Sequence, residues 1–505
     1  CLAEEMGAQL ERTALSVNVR ERLDFSCALL DQDGYLIANA PHVPVHLGAL
    51  GICARNLLNF LPKLCPGDIV VSNHPAFGGS HLPDVTVLAP VFAEGKDRPV
   101  AYLANRAHHA EIGGKSPGSM PASSNSLAEE GVVLSPQLLF AAGKSRMDEI
   151  EKLLQSGKYP SRQPAENLAD LSAQVASLRL GLDAMNELIQ TYGHQEITDQ
   201  ISDMSKVSNA SCEEFFQKCG DVTTQAEQFL DDGDRLSLLL GIKNGRAKFN
   251  FSGTSLVRKD GLNATLAIVT SAVCYCMRVL IARELPLNEG LMGPVDILVP
   301  AGCLLNPTFP DKLSDCPGVA GGNVEISQRL VDLILSAFGE VACSQGTMNN
   351  ITFGNDCFSH YETIGGGAGA TIGQDGTSAV QVHMTNTAIT DPEVLEARFP
   401  VRLISFKKRA GSGGAGSWPG GEGIERTYLF EEEVTISILT QRRVSGPDGI
   451  AGGLPGLPGQ QLLIRQNGKE ISLSSIDSIT AYKGDRLILD TPGGGGAGNP
   501  ELLAR

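Results

Sequence analysis

From Gly365 onward the chain cannot stay helical for long. Glycine clusters interrupt it at Gly365-Gly366-Gly367, Gly411 to Gly416, Gly420-Gly421, Gly452-Gly453 and Gly493 to Gly496. Each interior glycine costs a helix about 1 kcal/mol relative to alanine. Runs of them confine this third to short strands joined by sharp corners and bulges, with tight turns and close backbone approaches. Val434 to Leu439 and Arg486 to Leu489 are strand-like pieces between clusters. No repeat of fixed period is evident.

The rest of the chain obeys different patterns. Leu23 to Leu30 and Tyr35 to Ala38 flank an Asp31-Gln32-Asp33-Gly34 turn and predict a hairpin. Ile69 to Val71, Val85 to Phe92 and Pro99 to Ala104 are further strands. Leu168, Leu171, Val175, Leu178, Leu182, Met185 and Ile189 recur at three- and four-residue steps and predict one long helix, ended by Gly193. A structural helical hairpin or a dimer surface explains that stretch without chemistry. Strands return from Asp221 to about Val257, and Ala264 to Arg283 and Val324 to Phe338 read as helices.

With 505 residues the chain exceeds one ordinary core. The expected fold class is α+β, multi-lobed. A mixed α/β region over 1–147 is followed by a helical segment over 148–220, a mixed α/β region over 221–360 and a glycine-rich, β-rich lobe over 361–505.

A net charge of −17 without a useful Lys/Arg cluster excludes a nucleic-acid binder and disfavours anionic membranes. The longest apolar stretch, Ala264 to Met277, is too short to cross a bilayer. No signal peptide is visible, and the first residue is Cys1 rather than Met, as in a numbering that starts inside a longer reading frame. None of the 12 cysteines forms a Cys-x-x-Cys pair, so buried free thiols in a reducing cytosol are expected.

The sharpest local pattern is Gly78-Gly79-Ser80-His81-Leu82-Pro83-Asp84. Imidazole plus carboxylate, placed on a loop entering a strand, is the donor mix of a divalent-metal hydrolase. A lone pair so spaced is more often a hydrogen-bonded loop pair. The segment Ala107-His108-His109-Ala110-Glu111 changes the balance. If its strand neighbours the one that starts at Val85, His108 approaches His81 and Asp84, with His109 and Glu111 as ligands or as their orienting partners. Glu21 and Asp24 precede another strand, and either is placed to complete the coordination or serve as general base. An ordinary surface salt-bridge set with Arg20 and Arg22 explains them equally well. His42 and His46 read as packed loop histidines. No Walker-type loop is present, and the glycine clusters at Gly365 and Gly493 lack its lysine.

Ordered blocks of the sequence resemble the hydantoinase B / 5-oxoprolinase family. They are Ser16 to Cys27, Asn73 to Val85, Asn105 to Gly114, Val319 to Val324, Gln345 to Asn350, Tyr361 to Gly367, His383 to Thr387, Thr390 to Glu393 and Thr491 to Gly496. Within the family, Ser119-Met120-Pro121, Met348-Asn349-Asn350 and the terminal Thr-Pro-Gly-Gly-Gly-Gly block are most similar to the 5-oxoprolinase branch. The resemblance implies the metal-dependent, catalytic half of an ATP-dependent cyclic-amide (lactam) hydrolase. It implies His81, Asp84 and His108 as metal ligands, with Asp24 or Glu21 adding a carboxylate, and His108, Glu111 and Glu21 as catalytic candidates. The implied ion is Mn, Zn or Fe. ATP and Mg are expected on a hydantoinase A-type partner subunit or domain, in a cytoplasmic homodimer or heterotetramer. A hydantoin or N-methylhydantoin amidohydrolase subunit, a ketone carboxylase subunit and a non-catalytic assembly subunit are the alternatives.

Overall fold

A computed structural model describes residues 2–40 and 42–500; Cys1 and Pro41 lie outside the described residues. The site is carried by a seven-stranded antiparallel sheet in the order β2-β1-β5-β4-β3-β6-β7. Its strands are β1 (Phe25–Asp31), β2 (Leu36–Asn39), β3 (Ile69–Ser72), β4 (Asp84–Val91), β5 (Ala101–His108), β6 (Gln137–Ala141) and β7 (Lys144–Ser145). The β1–β2 hairpin forms at the expected turn, where the Asp31 carboxylate accepts from the amides of Asp33 and Tyr35 at 2.9 and 2.8 Å. β5 runs past its expected end to His108, which is therefore the last residue of a strand rather than part of the following loop.

Both faces of this sheet are covered, so β4 and β5 are buried at every position. Side chains alternate between two cores with period two. Phe25, Cys27, Val85, Val87, Leu103 and Ala107 join Met6, Leu10, Leu171, Val175 and Leu178. Ala28, Leu30, Leu88, Tyr102 and Ala104 join Leu50, Cys53, Leu57, Ile268 and Val331 on the other side. The long helix is Pro164–Tyr192, with a proline in its first turn and Gly193, at φ +84°, closing it. It lies against the first face, and His194–Cys219 follows.

The α+β expectation holds. Among the described residues there are three further sheets. One is built from Val222–Phe229, Arg235–Lys243, Arg246–Asn250 and Val295–Leu298, and packs on the helix Ser327–Phe338. The other two hold the strands after Asn350 and enclose a third core that includes Phe353, Tyr428, Phe430, Ile436 and Leu487.

Of the two uses expected of the glycine clusters, close backbone approach dominates. Those at 365–367, 413–414, 420–421 and 493–496 have no left-handed φ. Their segments run past one another backbone against backbone: a Cβ at Gly367, Gly421 or Gly494 would collide with the carbonyl of Gly421, Thr377 or Ala368 respectively. Their amides are spent on neighbouring carbonyls, with Gly367 N–H donating to Pro492 at 3.0 Å, Gly494 to Gly421 at 2.8 Å and Gly495 to Cys343 at 2.8 Å. Glycine is required here for close approach, and most of these amides already have a carbonyl partner.

Candidate metal centre

Asp84 opens β4 and His108 closes β5, and the two are paired across the ladder. Cross-strand partners share a face, so both side chains point to the side of the second core. The loop Gly78 to Pro83 brings in His81. Gly78, at φ +89°, and Gly79 let it press onto Cys53 and the carbonyl of Asn73, where a Cβ would not fit.

Three donor atoms meet. His81 Nε2 lies 3.0 Å from Asp84 Oδ1, His108 Nδ1 lies 3.1 Å from the same oxygen, and the two nitrogens are 3.2 Å apart. A cation bonded at about 2.0–2.2 Å to adjacent ligands holds them about 3.0–3.4 Å from one another. The triangle therefore has the edge lengths of one face of a coordination shell. All three residues are buried, at 0%, 1% and 2% exposure. Among the described residues no other group of three His, Cys, Asp or Glu side chains converges so.

The electrostatics favour the ligating protonation states. Burial alone would push the Asp84 carboxyl up; the imidazoles of His81, His46 and His108 outweigh it and hold it well below the usual carboxylate range. Burial also lowers His108, which keeps its ring neutral. Asp84 Oδ2 is occupied by the hydroxyl of Ser80 and by His46 Nε2 at 3.3 Å, and His46 Nδ1 is 2.9 Å from Ser26 Oγ. Those contacts turn Oδ1 toward the triangle. The Tyr361 ring stacks on His108 with centroids 5.0 Å apart and planes 18° from parallel. Its hydroxyl donates to Asn350 Oδ1 at 2.8 Å, and Asn350 Nδ2 donates to Glu325 Oε1 at 2.8 Å. His81 Nδ1, His108 Nε2 and Asn323 Oδ1 are buried without a hydrogen-bond partner.

The other candidates stand apart from the triangle. Asp24 sits beside His108, whose amide donates to its carbonyl at 3.0 Å, and shares its face by the alternation of β1. Its charge reaches His108 and Tyr361, yet its carboxylate is outside the three-atom group. Glu21 caps the short helix Val17–Arg20 and pairs with Arg20 at 3.9 Å, partly in solvent. Glu111 accepts from the amides of Gly113 and Gly118 and pairs with Arg162 at 3.1 Å, which makes it a brace for its own loop. His109 points to the opposite face from His108, where Gln174 and Asn167 of the long helix hold its two nitrogens, each at 3.1 Å. His42 packs edge-on against Phe25. His46, expected to be a packed loop histidine like it, instead supports Asp84.

The sequence reading assigned no role to Ser80, His46, Tyr361 or Asn323. Ser80 beside His81, Asn323 after Gly321-Gly322 and Tyr361 before the glycine run were signalled only by membership of the ordered blocks, to which His46 does not belong.

A sequence model described as Hydantoinase B/oxoprolinase matches residues 1–500. 5-Oxoprolinase 1 of Arabidopsis thaliana is 44% identical over 523 residues, which cover 99% of this chain and 41% of that protein. 5-Oxoprolinase of Saccharomyces cerevisiae is 42% identical, over 98% of this chain and 41% of that one. The chain thus spans about two-fifths of the length of these relatives. The crystal structure of an ATP-dependent caprolactamase from Pseudomonas jessenii shares the fold, with a TM-score of 0.89 at 24% identity, over all of this chain and 91% of that one.

Proposed function

The chain belongs to the hydantoinase B/oxoprolinase family, and from that premise we propose that it is the metal-dependent half of an ATP-dependent cyclic-amide hydrolase of the 5-oxoprolinase type. The overall reaction is 5-oxoproline, ATP and water to glutamate, ADP and phosphate. ATP and Mg belong to a hydantoinase A-type partner subunit or domain. The observation that carries the reading is the triangle of His81 Nε2, Asp84 Oδ1 and His108 Nδ1.

An unstrained lactam is a poor electrophile. Phosphorylating its oxygen in the partner makes the ring carbon a better electrophile; in this half water adds to that carbon, the C–N bond breaks to give the amine and a ring-opened acyl phosphate, and a second water releases phosphate and leaves the carboxylate. His81, Asp84 and His108 would hold a divalent ion (Mn, Zn or Fe), which would supply Lewis acidity for the attack of water. The residues of the chain do the rest. Ser80 and His46 fix the Asp84 carboxylate, and Tyr361 fixes the plane of His108. Asp24, which among the described residues has no side-chain hydrogen bond or ion pair, is placed to accept the proton of the attacking water. That role falls to Asp24 rather than Glu21 or Glu111, whose carboxylates face Arg20 and Arg162.

The test is a reconstituted assay with an A-type partner, reading glutamate and phosphate from 5-oxoproline and ATP, with hydantoin in parallel. The expected result is coupled formation of both products, and loss of at least about 1,000-fold in the His81→Ala/Asp84→Ala variant with assembly intact. Full turnover by that variant would sink the metal centre. Ring opening without ATP would make the chain a self-sufficient amidase, and turnover of hydantoin alone would move it to the hydantoinase branch.

A further inference from the structure

The next rung of the sheet is polar on the same face as the triangle. Arg106 of β5 is paired with Ser26 of β1 on one side and with Thr86 of β4 on the other. Each stands one alternation along from the rung of His108 and Asp84, and so shares its face. Arg106 is fully buried. Its Nε donates to Thr86 Oγ1 at 2.8 Å, its Nη1 to Ser80 Oγ at 3.3 Å and its Nη2 to the Gly78 carbonyl at 3.1 Å. All three acceptors are uncharged.

We propose that Arg106 is a positioning residue of the centre: it fixes the direction of the Ser80 hydroxyl and, through it, which oxygen of Asp84 faces the ion. The inference rests on the metal reading above. A guanidinium carries donors only, so Ser80 Oγ must accept from it. The single proton of that hydroxyl is then committed to its other neighbour, Asp84 Oδ2. With Arg106 absent, Ser80 is free to accept or to donate elsewhere, and the carboxylate loses a fixed partner.

The rest of the rung supports this role. Thr86 and Gly78 anchor the plane of the guanidinium, so that Nη1 points at Ser80. Ser26, at the other end, lies 2.9 Å from His46 Nδ1, and His46 Nε2 lies 3.3 Å from Asp84 Oδ2. Both ends of the rung thus reach Oδ2, and Oδ1 is left to His81 and His108.

Orientation and charge make opposite demands here. A cation beside a metal centre repels the ion, so a guanidinium acting only as a charge would weaken metal binding. Burying it among uncharged oxygens is costly as well. Its forked hydrogen bonding is what the site gains, and a lysine has no such fork.

The experiment is Co(II) binding to the purified protein, with affinity read by dialysis and the geometry of the bound ion by visible absorption. The proteins are wild type, Arg106→Met, Ser80→Ala and the double variant, each with its metal-free stability measured in urea. Each single variant is expected to weaken binding about 10- to 100-fold and to change the absorption band. The double variant is expected to lose no more than the weaker-binding single variant, because Arg106 acts through Ser80. Arg106→Lys replaces Arg106→Met in the same cycle if the latter does not fold, and its loss should likewise vanish on the Ser80→Ala background. Three results would overturn the proposal: wild-type affinity in Ser80→Ala, losses that multiply in the double variant, or tighter binding in Arg106→Met. A wild type that binds none of Co(II), Mn(II) and Zn(II) would instead remove the metal reading itself, and the inference with it.

Discussion

At the residue scale, the site is organised by what each carboxyl group can reach. Asp84 is buried among imidazoles and stays ionised. Glu325 is equally buried; burial outweighs its hydrogen bonds with Thr347, the Met348 amide and Asn350 and the charges of Arg443 and Arg329, and pushes it up to about 8 from an ordinary 4.5. Its protonated form is the one that fits the native state. The stability this contributes is complete below about pH 4.5 and is lost as pH rises through 8. Glu325→Gln is therefore expected to unfold with a flatter pH profile than wild type between pH 5 and pH 9, roughly, and to match it at the acid end; urea titrations across that range check it. Parallel profiles would show that the carboxyl does not titrate there. At this scale the sequence was informative where chemistry is rare. His81, Asp84 and His108 stood out because two segments, the first of them alone more readily a hydrogen-bonded loop pair, sit at the ends of strands expected to be neighbours. Asp24, Glu21 and Glu111 were indistinguishable on paper, since a carboxylate's role depends on which cation or amide lies within about 3 Å of it.

At the element scale, strand alternation sorts His108 from His109 and sends one to the triangle and the other to the long helix. The long helix was legible from its periodicity and the first hairpin from its Asp-Gly turn. The end of β5 was not, since a strand buried on both faces carries no alternation to count. The glycine clusters were read for tight turns and close backbone approach, and at 365–367, 420–421 and 493–496 the fold uses the second. Gly494→Ala would drive a methyl into the Ala368 carbonyl, while a Cβ at Gly241, in a strand, meets nothing within 4 Å. We expect Gly494→Ala to cost about 3 kcal/mol or more and Gly241→Ala less than about 0.5 kcal/mol, measured by chemical denaturation. Equal effects would mean that the glycine-rich segments separate easily.

At the scale of the whole molecule, the first and last thirds of the chain are tied together at the site. Arg22, fully buried, donates to the Tyr361 carbonyl at 2.9 Å and to Thr363 Oγ1 at 3.1 Å, and its own carbonyl accepts from Ala388. Tyr361 is in turn the ring that covers His108. Those long-range ties were beyond the sequence, because nothing local in it pairs residue 22 with residue 361. They also set a clock. His81, Asp84 and His108 are at most 2% exposed, so an ion seated between them is expected to leave only when the surrounding structure opens locally. Its residence time is then governed by the frequency of that opening rather than by affinity. A chelator added to the folded protein should strip it with a half-life on the order of hours, unchanged by tenfold more chelator and shortened sharply by sub-denaturing urea. Which metal the protein carries would accordingly be decided by what is abundant while the chain folds, and remembered long after that supply has changed.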